Sequence, residues 1–357
     1  MIATSRKRML ATIAATGAAA LVLVGCGNAP EAGDNGSKEG SDNSDFLACA
    51  VSDEGSWNDK SFNQVSMLGM TEAKDGLDIE IKDAESKSEE DYTPNLEAMV
   101  AKGCDITFAV GFKIVEQINA AATENPDSNF VIIDSEAEGL DNLKGMTWET
   151  TQSAFLAGYL SAAYSESKVI GTYGGMNIPA VTDFMVGFTN GAKYYEEETG
   201  TKVTVLGWDA DKQDGDFVGD FENGTAAKSI SEGQIEAGAD VIMPVAGGLF
   251  GATSEAIKES GKDIVMIGVD LDIAKNSPQY ADQILTSVEK QINVSIYDVI
   301  ESAKDGSFSS DGYVGTLEND GTRLSPFYEF EDKIDASIIE KLDELKKKII
   351  AGEVETR

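Results

Sequence analysis

The chain of 357 residues carries 28 Lys+Arg against 63 Asp+Glu and no histidine, a formal charge of −35. An apolar fraction of 41% with 14 Phe, 10 Tyr and 3 Trp is enough for packed cores, and the length suits about two domains. The missing histidine excludes Ser-His-Asp triads, Cys-His dyads and HExxH zinc sites, and the acidity argues against nucleic acid, whose phosphates need clustered Lys/Arg.

Residues 1–25 place Arg6, Lys7 and Arg8 before an Ala-rich apolar stretch, Met9–Val24. This reads as a secretory signal, too short and wrongly flanked for a stop-transfer helix. It ends in Leu23-Val24-Gly25-Cys26, the pattern of a bacterial lipobox. Cys26 is therefore expected to become a lipidated first residue that anchors the chain on the extracytoplasmic face of the cell membrane. Cleavage removes three of the 28 positive charges and leaves 332 residues with a charge of 25 − 63 = −38. Residues 27–45 are Gly, Asn, Ser and acid and read as a flexible tether. Cys49 and Cys104 remain. Export permits a disulfide between them, and the alternative is two buried thiols.

From residue 46 short apolar runs alternate with amphipathic stretches. The runs are Phe46–Val51, Ile79–Ile81, Ile106–Val110, Phe130–Ile133, Met146–Trp148, Val169–Tyr173, Val203–Leu206, Val241–Val245, Ile264–Val269 and Ile284–Val288. Unalternating runs suit parallel strands covered on both faces. Thr93 and Pro94 predict a helix start that Gly103 stops, and Ala154–Tyr164 and Ile334–Ile350 predict further helices. About ten strands exceed one sheet of about four to six. The expected fold is α/β, with two doubly wound parallel-sheet lobes and a cleft between them. Residues 46–150 plus about 274–325 are expected in the N-lobe, and 151–273 plus about 326–357 in the C-lobe. No internal repeat is visible in the sequence.

In open parallel sheets ligands bind beyond the carboxyl ends of strands. Three predicted strands end in a carboxylate, at Asp53, Asp134 and Asp270. Such residues often only make turns, but three at equivalent places point to a polar cleft floor that suits a neutral or cationic, hydroxyl-bearing ligand. Asn58 or Asp59 can cap the helix after Asp53, which puts Phe62 and Asn63 in its first turn, an aromatic face beside an amide. Gly247 and Gly248 allow close backbone approach after another strand, although this turn lacks the P-loop and GxGxxG spacings. Lys290 follows the last strand and can neutralise a cleft carboxylate. Phe217 and Phe221 lie in the acidic loop Asp214–Glu222 and are candidates for a second aromatic face. No metal-binding or cofactor-binding motif is present.

The order of Asp53…Asn58-Asp59-Lys60-Ser61-Phe62-Asn63-Gln64, Gly111-Phe112, Phe130–Asp134, Phe155–Tyr159, Gly187-Phe188…Gly191-Ala192, Gly238–Ile242, Ile267–Asp270 and Leu285–Ser287…Lys290 resembles the basic membrane protein family of bacterial lipoproteins, which includes purine nucleoside receptors. The resemblance covers roughly residues 46–355. It implies a type I periplasmic-binding-protein fold and a monomeric, non-enzymatic receptor that hands nucleosides to the permease of an ABC importer. It further implies that Phe62 and Phe221 sandwich the base, that Asn63 and Asp134 contact it, and that Asp270, Lys290 and a glycine of Gly247-Gly248 contact ribose, with Asp53 another site carboxylate. Trp57 and the bulky Gly247–Gly251 turn depart from the family pattern. The alternatives are a receptor for a riboflavin-like heterocycle or a sugar, an exported hydrolase working with paired carboxylates, and a surface adhesin or signalling receptor.

Overall fold

The computed structural model describes residues 46–137 and 139–357. The signal segment, Cys26 and the tether lie outside the described residues. In chain order the elements are β1 (Leu47–Ser52), α1 (Phe62–Leu77), β2 (Glu80–Ala84), α2 (Tyr92–Ala101), β3 (Ile106–Val110), α3 (Val115–Glu124), β4 (Asn129–Ile133), β5 (Leu143–Trp148) and α4 (Thr150–Tyr164). There follow β6 (Val169–Gly174), α5 (Pro179–Thr199), β7 (Thr204–Leu206), the two-residue strands β8 (Trp208–Asp209) and β9 (Asp214–Gly215), α6 (Gly224–Glu236), β10 (Val241–Val245) and α7 (Phe250–Ser260). The chain ends with β11 (Val265–Asp270), α8 (Ile273–Asn276), β12 (Ile284–Lys290), α9 (Ile292–Lys304), β13 (Tyr313–Gly315), β14 (Thr322–Leu324) and α10 (Ala336–Ile350).

The strands form two six-stranded sheets, ordered β13-β5-β4-β3-β1-β2 and β14-β12-β11-β10-β6-β7. All pairings in them are parallel except β12 with β14. The apolar runs behave as read: Ile106–Val110 and Val241–Val245 are buried along their whole length, as strands with helices on both faces must be. The two orders match element for element, so β4 and β11 hold the same place in their lobes. The repeat absent from the sequence is thus present in the topology.

Two expectations are corrected. Residues 274–325 do not return to the first lobe as a block, because β12 pairs with β11 and β14 with β12 in the second sheet. A short crossover through α8 leaves β12 beside its sequence neighbour, the usual outcome for consecutive strands. Only α9 and β13 return: α9 lies so close to α1 that a Cβ on Gly69 would stand 2.7 Å from Asn293 O, and β13 extends the first sheet beside β5. In addition α2 starts at Tyr92 rather than Pro94, following a 3₁₀ turn over Glu89–Asp91.

The chain therefore crosses between lobes three times, after β5, after β12 and between β13 and β14. The crossings are tied together. Glu149 N donates to Gly315 O and Gln291 N to Gly321 O, each at 2.8 Å, Thr322 Oγ1 donates to Glu289 O, and the hydroxyls of Ser153 and Thr322 meet. In the second lobe α4 and α5 pack almost backbone to backbone. A Cβ on Gly158 would lie 1.9 Å from Phe188 O, and one on Gly191 the same distance from Phe155 O.

Cys49 in β1 and Cys104, just before the neighbouring β3, are joined in a disulfide with Cα atoms 6.0 Å apart. Both lie in a buried cluster with Tyr92, Leu96, Met99 and Phe130. The bridge closes a separation of 55 residues, which in the chain-entropy account restricts the unfolded state by roughly 4 kcal/mol. Urea unfolding of Cys49→Ala/Cys104→Ala should show a stability loss of about 2–4 kcal/mol. A midpoint unchanged from the parent would show that the bridge adds nothing to stability.

Candidate ligand-binding cleft

The carboxyl ends of β1, β3, β4, β10, β11 and β12 and the loops beyond them meet in one cleft enclosing about 1070 Å³, solvent at its mouth included, which suits a small-molecule site. Its walls include all nine candidate ligand residues: Asp53, Phe62, Asn63, Asp134, Phe221, Gly247, Gly248, Asp270 and Lys290. Phe217 is elsewhere, edge-on against Trp208 with its backbone bridged to Gly174. Of the two loop aromatics only Phe221 reaches the cleft, resting where a Cβ on Gly175 would stand 2.3 Å from its ring.

Lys290 ends β12 with its side chain only 3% exposed. Its Nζ donates to Asp134 Oδ2 at 2.6 Å and lies 3.8 Å from Asp270 Oδ1. Three rings surround the ammonium, with centroids 5.3 Å (Phe184), 5.6 Å (Phe62) and 5.9 Å (Trp148) away, an arrangement that favours a cation. Burial pushes the Lys290 pKa down, but the Asp134 and Asp270 carboxylates outweigh it and hold the group above the ordinary lysine range. Asp134 belongs to the first sheet and Lys290 to the second, so this ion pair spans the cleft. A second bridge runs from Ser61 Oγ to Asp270 Oδ2 at 2.8 Å. Gly248 completes the contact, since a Cβ there would meet Asp59 O at 2.3 Å.

Asp134 and Asp270 follow or end the equivalent strands β4 and β11, with φ of 63° and 64°. Left-handed backbone is uncommon for a residue with a side chain, although Asp tolerates it better than most, and it turns both carboxylates at the same point of each lobe. Asp53 lies at the end of β1, where its carboxylate accepts from Glu54 N (2.6 Å) and Lys113 N (3.4 Å). It fits only because residue 111 is glycine: a Cβ there would be 2.1 Å from Asp53 Oδ2. Burial raises the carboxyls of Asp53 and Asp270 to about 6, in Asp270 against the pull of Lys290.

Asp59 caps α1, accepting from the backbone N–H groups of Ser61, Asn63 and Gln64 at 2.9–3.0 Å. This fixes Phe62 and Asn63 in the first turn, facing the cleft. Asn63 Nδ2 donates to Glu54 O at 3.1 Å, while its Oδ1 is buried with no partner.

A family profile described as ABC transporter substrate-binding protein PnrA-like (Bmp) matches residues 46–357. The chain belongs to the Bmp family. This Bmp protein is 29% identical over 368 residues to the ABC transporter nucleoside-binding protein BmpA of Lactococcus lactis subsp. cremoris, covering 98% of each chain. It is 30% identical over 324 residues to basic membrane protein A of Borreliella burgdorferi, covering 89% of this chain and 90% of that one. Its structure superimposes with a TM-score of 0.77 and 25% identity on an ABC transporter solute-binding protein from Aeropyrum pernix K1, covering 87% and 92% of the two chains. The Bmp chain accordingly has the type I periplasmic-binding fold and is an ABC transporter substrate-binding protein.

Sequence reasoning gave no role to Ser61, Phe184, Lys113, Asp220 or Glu222, all of which line or brace the cleft. Ser61 stands within the segment Asp59–Gln64, but its cross-lobe partner is 209 residues away. Phe184 gave only the signal of a buried residue on an amphipathic helix.

The raised carboxyls make a pH prediction. Asp53 and Asp270 hold protons more tightly folded, at about 6, than unfolded, near 3.9. Their favourable contribution is complete below about pH 4 and is lost as pH rises through about 6. Urea midpoints compared between pH 5 and 7.5 should fall with rising pH, with a shallower fall in Asp270→Asn. Identical slopes in the two proteins would remove Asp270 from this account.

Proposed function

We propose that this chain is the lipid-anchored, extracytoplasmic receptor of an ABC importer and that it binds nucleosides, purines preferred, without chemically altering them. The observation that carries the reading is the cleft itself, where Phe62 from the first lobe and Phe221 from the second line the same space as Asn63. Two rings suit a flat base, and the Asn63 oxygen can accept from a base N–H. Asp134 completes the base-reading set. Asp270, Lys290 and the Gly247-Gly248 turn face the ribose hydroxyls, with Asp53 at the edge. The relative named a nucleoside-binding protein supports the ligand class.

Lobe closure on the nucleoside presents one face to the permease. Among the described residues no helix is long and apolar enough to cross a membrane, and the anchor is assigned to the lipid on Cys26. Replacing Cys26 by Ala should shift the protein from the membrane fraction to the medium or periplasm. Retention in the membrane would overturn the lipid anchor.

The hydrolase alternative finds two carboxyls raised to about 6, so the binding experiment has to include a product check. Calorimetric titration of the full chain with guanosine, inosine, adenosine, cytidine, uridine, riboflavin and ribose should give tightest binding for a purine nucleoside and none for ribose. Chromatography afterwards should recover the nucleoside intact. Phe62→Ala and Phe221→Ala should each weaken binding about 10- to 100-fold. Purine affinity unchanged in both would remove the stacking assignment, and free base in the product would install the enzyme reading.

A further inference from the structure

The loop from Asp53 to Ser61 is fastened to its own lobe and reaches into the other. Trp57, which departs from the family pattern, fixes its middle. The indole Nε1 donates to Asp83 Oδ2 at 2.9 Å and the backbone N to Glu85 Oε1 at 2.7 Å, at and just after the end of β2. Beyond that point three consecutive residues each meet the second lobe. The Asp59 carbonyl oxygen lies against Gly248, where a Cβ would stand 2.3 Å away. Lys60 Nζ stands 5.8 Å from the ring centroid of Tyr280, within reach of a cation–π contact. Ser61 Oγ donates to Asp270 Oδ2 at 2.8 Å.

Lys60 pays for this arrangement in its backbone, with a left-handed φ of 62°. Asp or Asn can offset that conformation with a local hydrogen bond from a short polar side chain, and lysine cannot. Such strain persists where the surroundings fix it. Here the Asp59 cap holds one side and the buried Ser61–Asp270 bond the other. The ring that receives the ammonium is set by the second lobe alone. Tyr280 lies in a 3₁₀ segment, Pro278–Gln283, edge-on to Phe250 at 5.2 Å and 81°, with Lys258 Nζ of α7 5.4 Å from its centroid. Neither Lys60 nor Tyr280 belongs to the cleft lining. A contact made only when the lobes are together, and away from the ligand, slows opening without weighing one ligand against another.

We propose that Asp59–Ser61 is a latch of the first lobe on the second, with Lys60 and Tyr280 as its positioning pair outside the cleft, and that it sets how long the closed cleft keeps a ligand, whichever ligand that is.

The test compares the full chain with Lys60→Met and Tyr280→Leu, which remove the cation or the ring, and with Lys60→Arg and Tyr280→Phe, which retain them. Release of guanosine and of inosine is followed by stopped-flow fluorescence. Lys60→Met and Tyr280→Leu should each speed the release of both nucleosides by the same factor, about 3- to 10-fold. The double variant should be no faster than either single one, because both remove one contact. Lys60→Arg and Tyr280→Phe should stay near the parent rate, and the urea midpoint should not move in any of them. Unchanged release in Lys60→Met and Tyr280→Leu, different factors for the two nucleosides, or effects that multiply in the double variant would overturn the latch. If neither nucleoside binds, the nucleoside reading falls and the latch is read without ligand, from spin labels at Glu97→Cys on α2 and Glu232→Cys on α6. The interlobe distance should then lengthen and broaden in Lys60→Met and Tyr280→Leu and return in Lys60→Arg and Tyr280→Phe. Distributions identical to the parent's, or no return in the conservative pair, would overturn the proposal.

Discussion

Lys290 Nζ lies 2.6 Å from Asp134 and 3.8 Å from Asp270, buried among three aromatic rings. A lysine so far from water is tolerable only with a partner, since a lone buried ammonium would lose its charge. The partner that makes it tolerable comes from the other lobe. The electrostatics of one side chain thus link the two sheets, set the position of two cleft carboxylates and place a cation beside the ring of Phe62. Lys290 is also the last residue before the crossing into α9, so its side chain lies on the cleft floor while its backbone belongs to the hinge. A ligand that competes for Asp134 or Asp270 acts on the same contact that holds the lobes together.

The architecture around this contact is a duplicated solution. Two sheets with the same strand order bring the ends of β4 and β11 face to face, and each presents an aspartate in left-handed backbone. Strain of this kind persists where surrounding structure fixes it, here the Asp134 N–H bond to Met146 O and the ladder of β11 with β12. The cleft is assembled from residues that each cost the fold something, namely buried carboxyls, left-handed aspartates and an unpartnered amide oxygen. Their concentration in one place distinguishes a site from a core.

Much of this was legible in the sequence because the signals were local. Ten apolar runs marked ten strands, and a carboxylate at or just beyond the end of a run marked Asp53, Asp134 and Asp270. A cap at Asn58 or Asp59 put Phe62 and Asn63 in the first turn of the helix, and the structure assigns the cap to Asp59. What the sequence hid was pairing at long range. Nothing near Ile284–Val288 says which sheet it joins. Ser61 and Asp270, or Lys290 and Asp134, become partners only once the lobes close, over separations of 209 and 156 residues. The topological repeat escaped notice because it resides in strand order, which dissimilar sequences can share.

The central claim is that the Lys290 contact holds the lobes together, and an interlobe distance tests it most directly. Spin labels at Glu97→Cys on α2 and Glu232→Cys on α6 would report the lobe separation of the ligand-free chain, with Lys290 intact and as Lys290→Met. The intact protein should give a short, narrow distance distribution and Lys290→Met a longer, broader one. Identical distributions in the two proteins would mean that the lobes are held by something other than this ion pair.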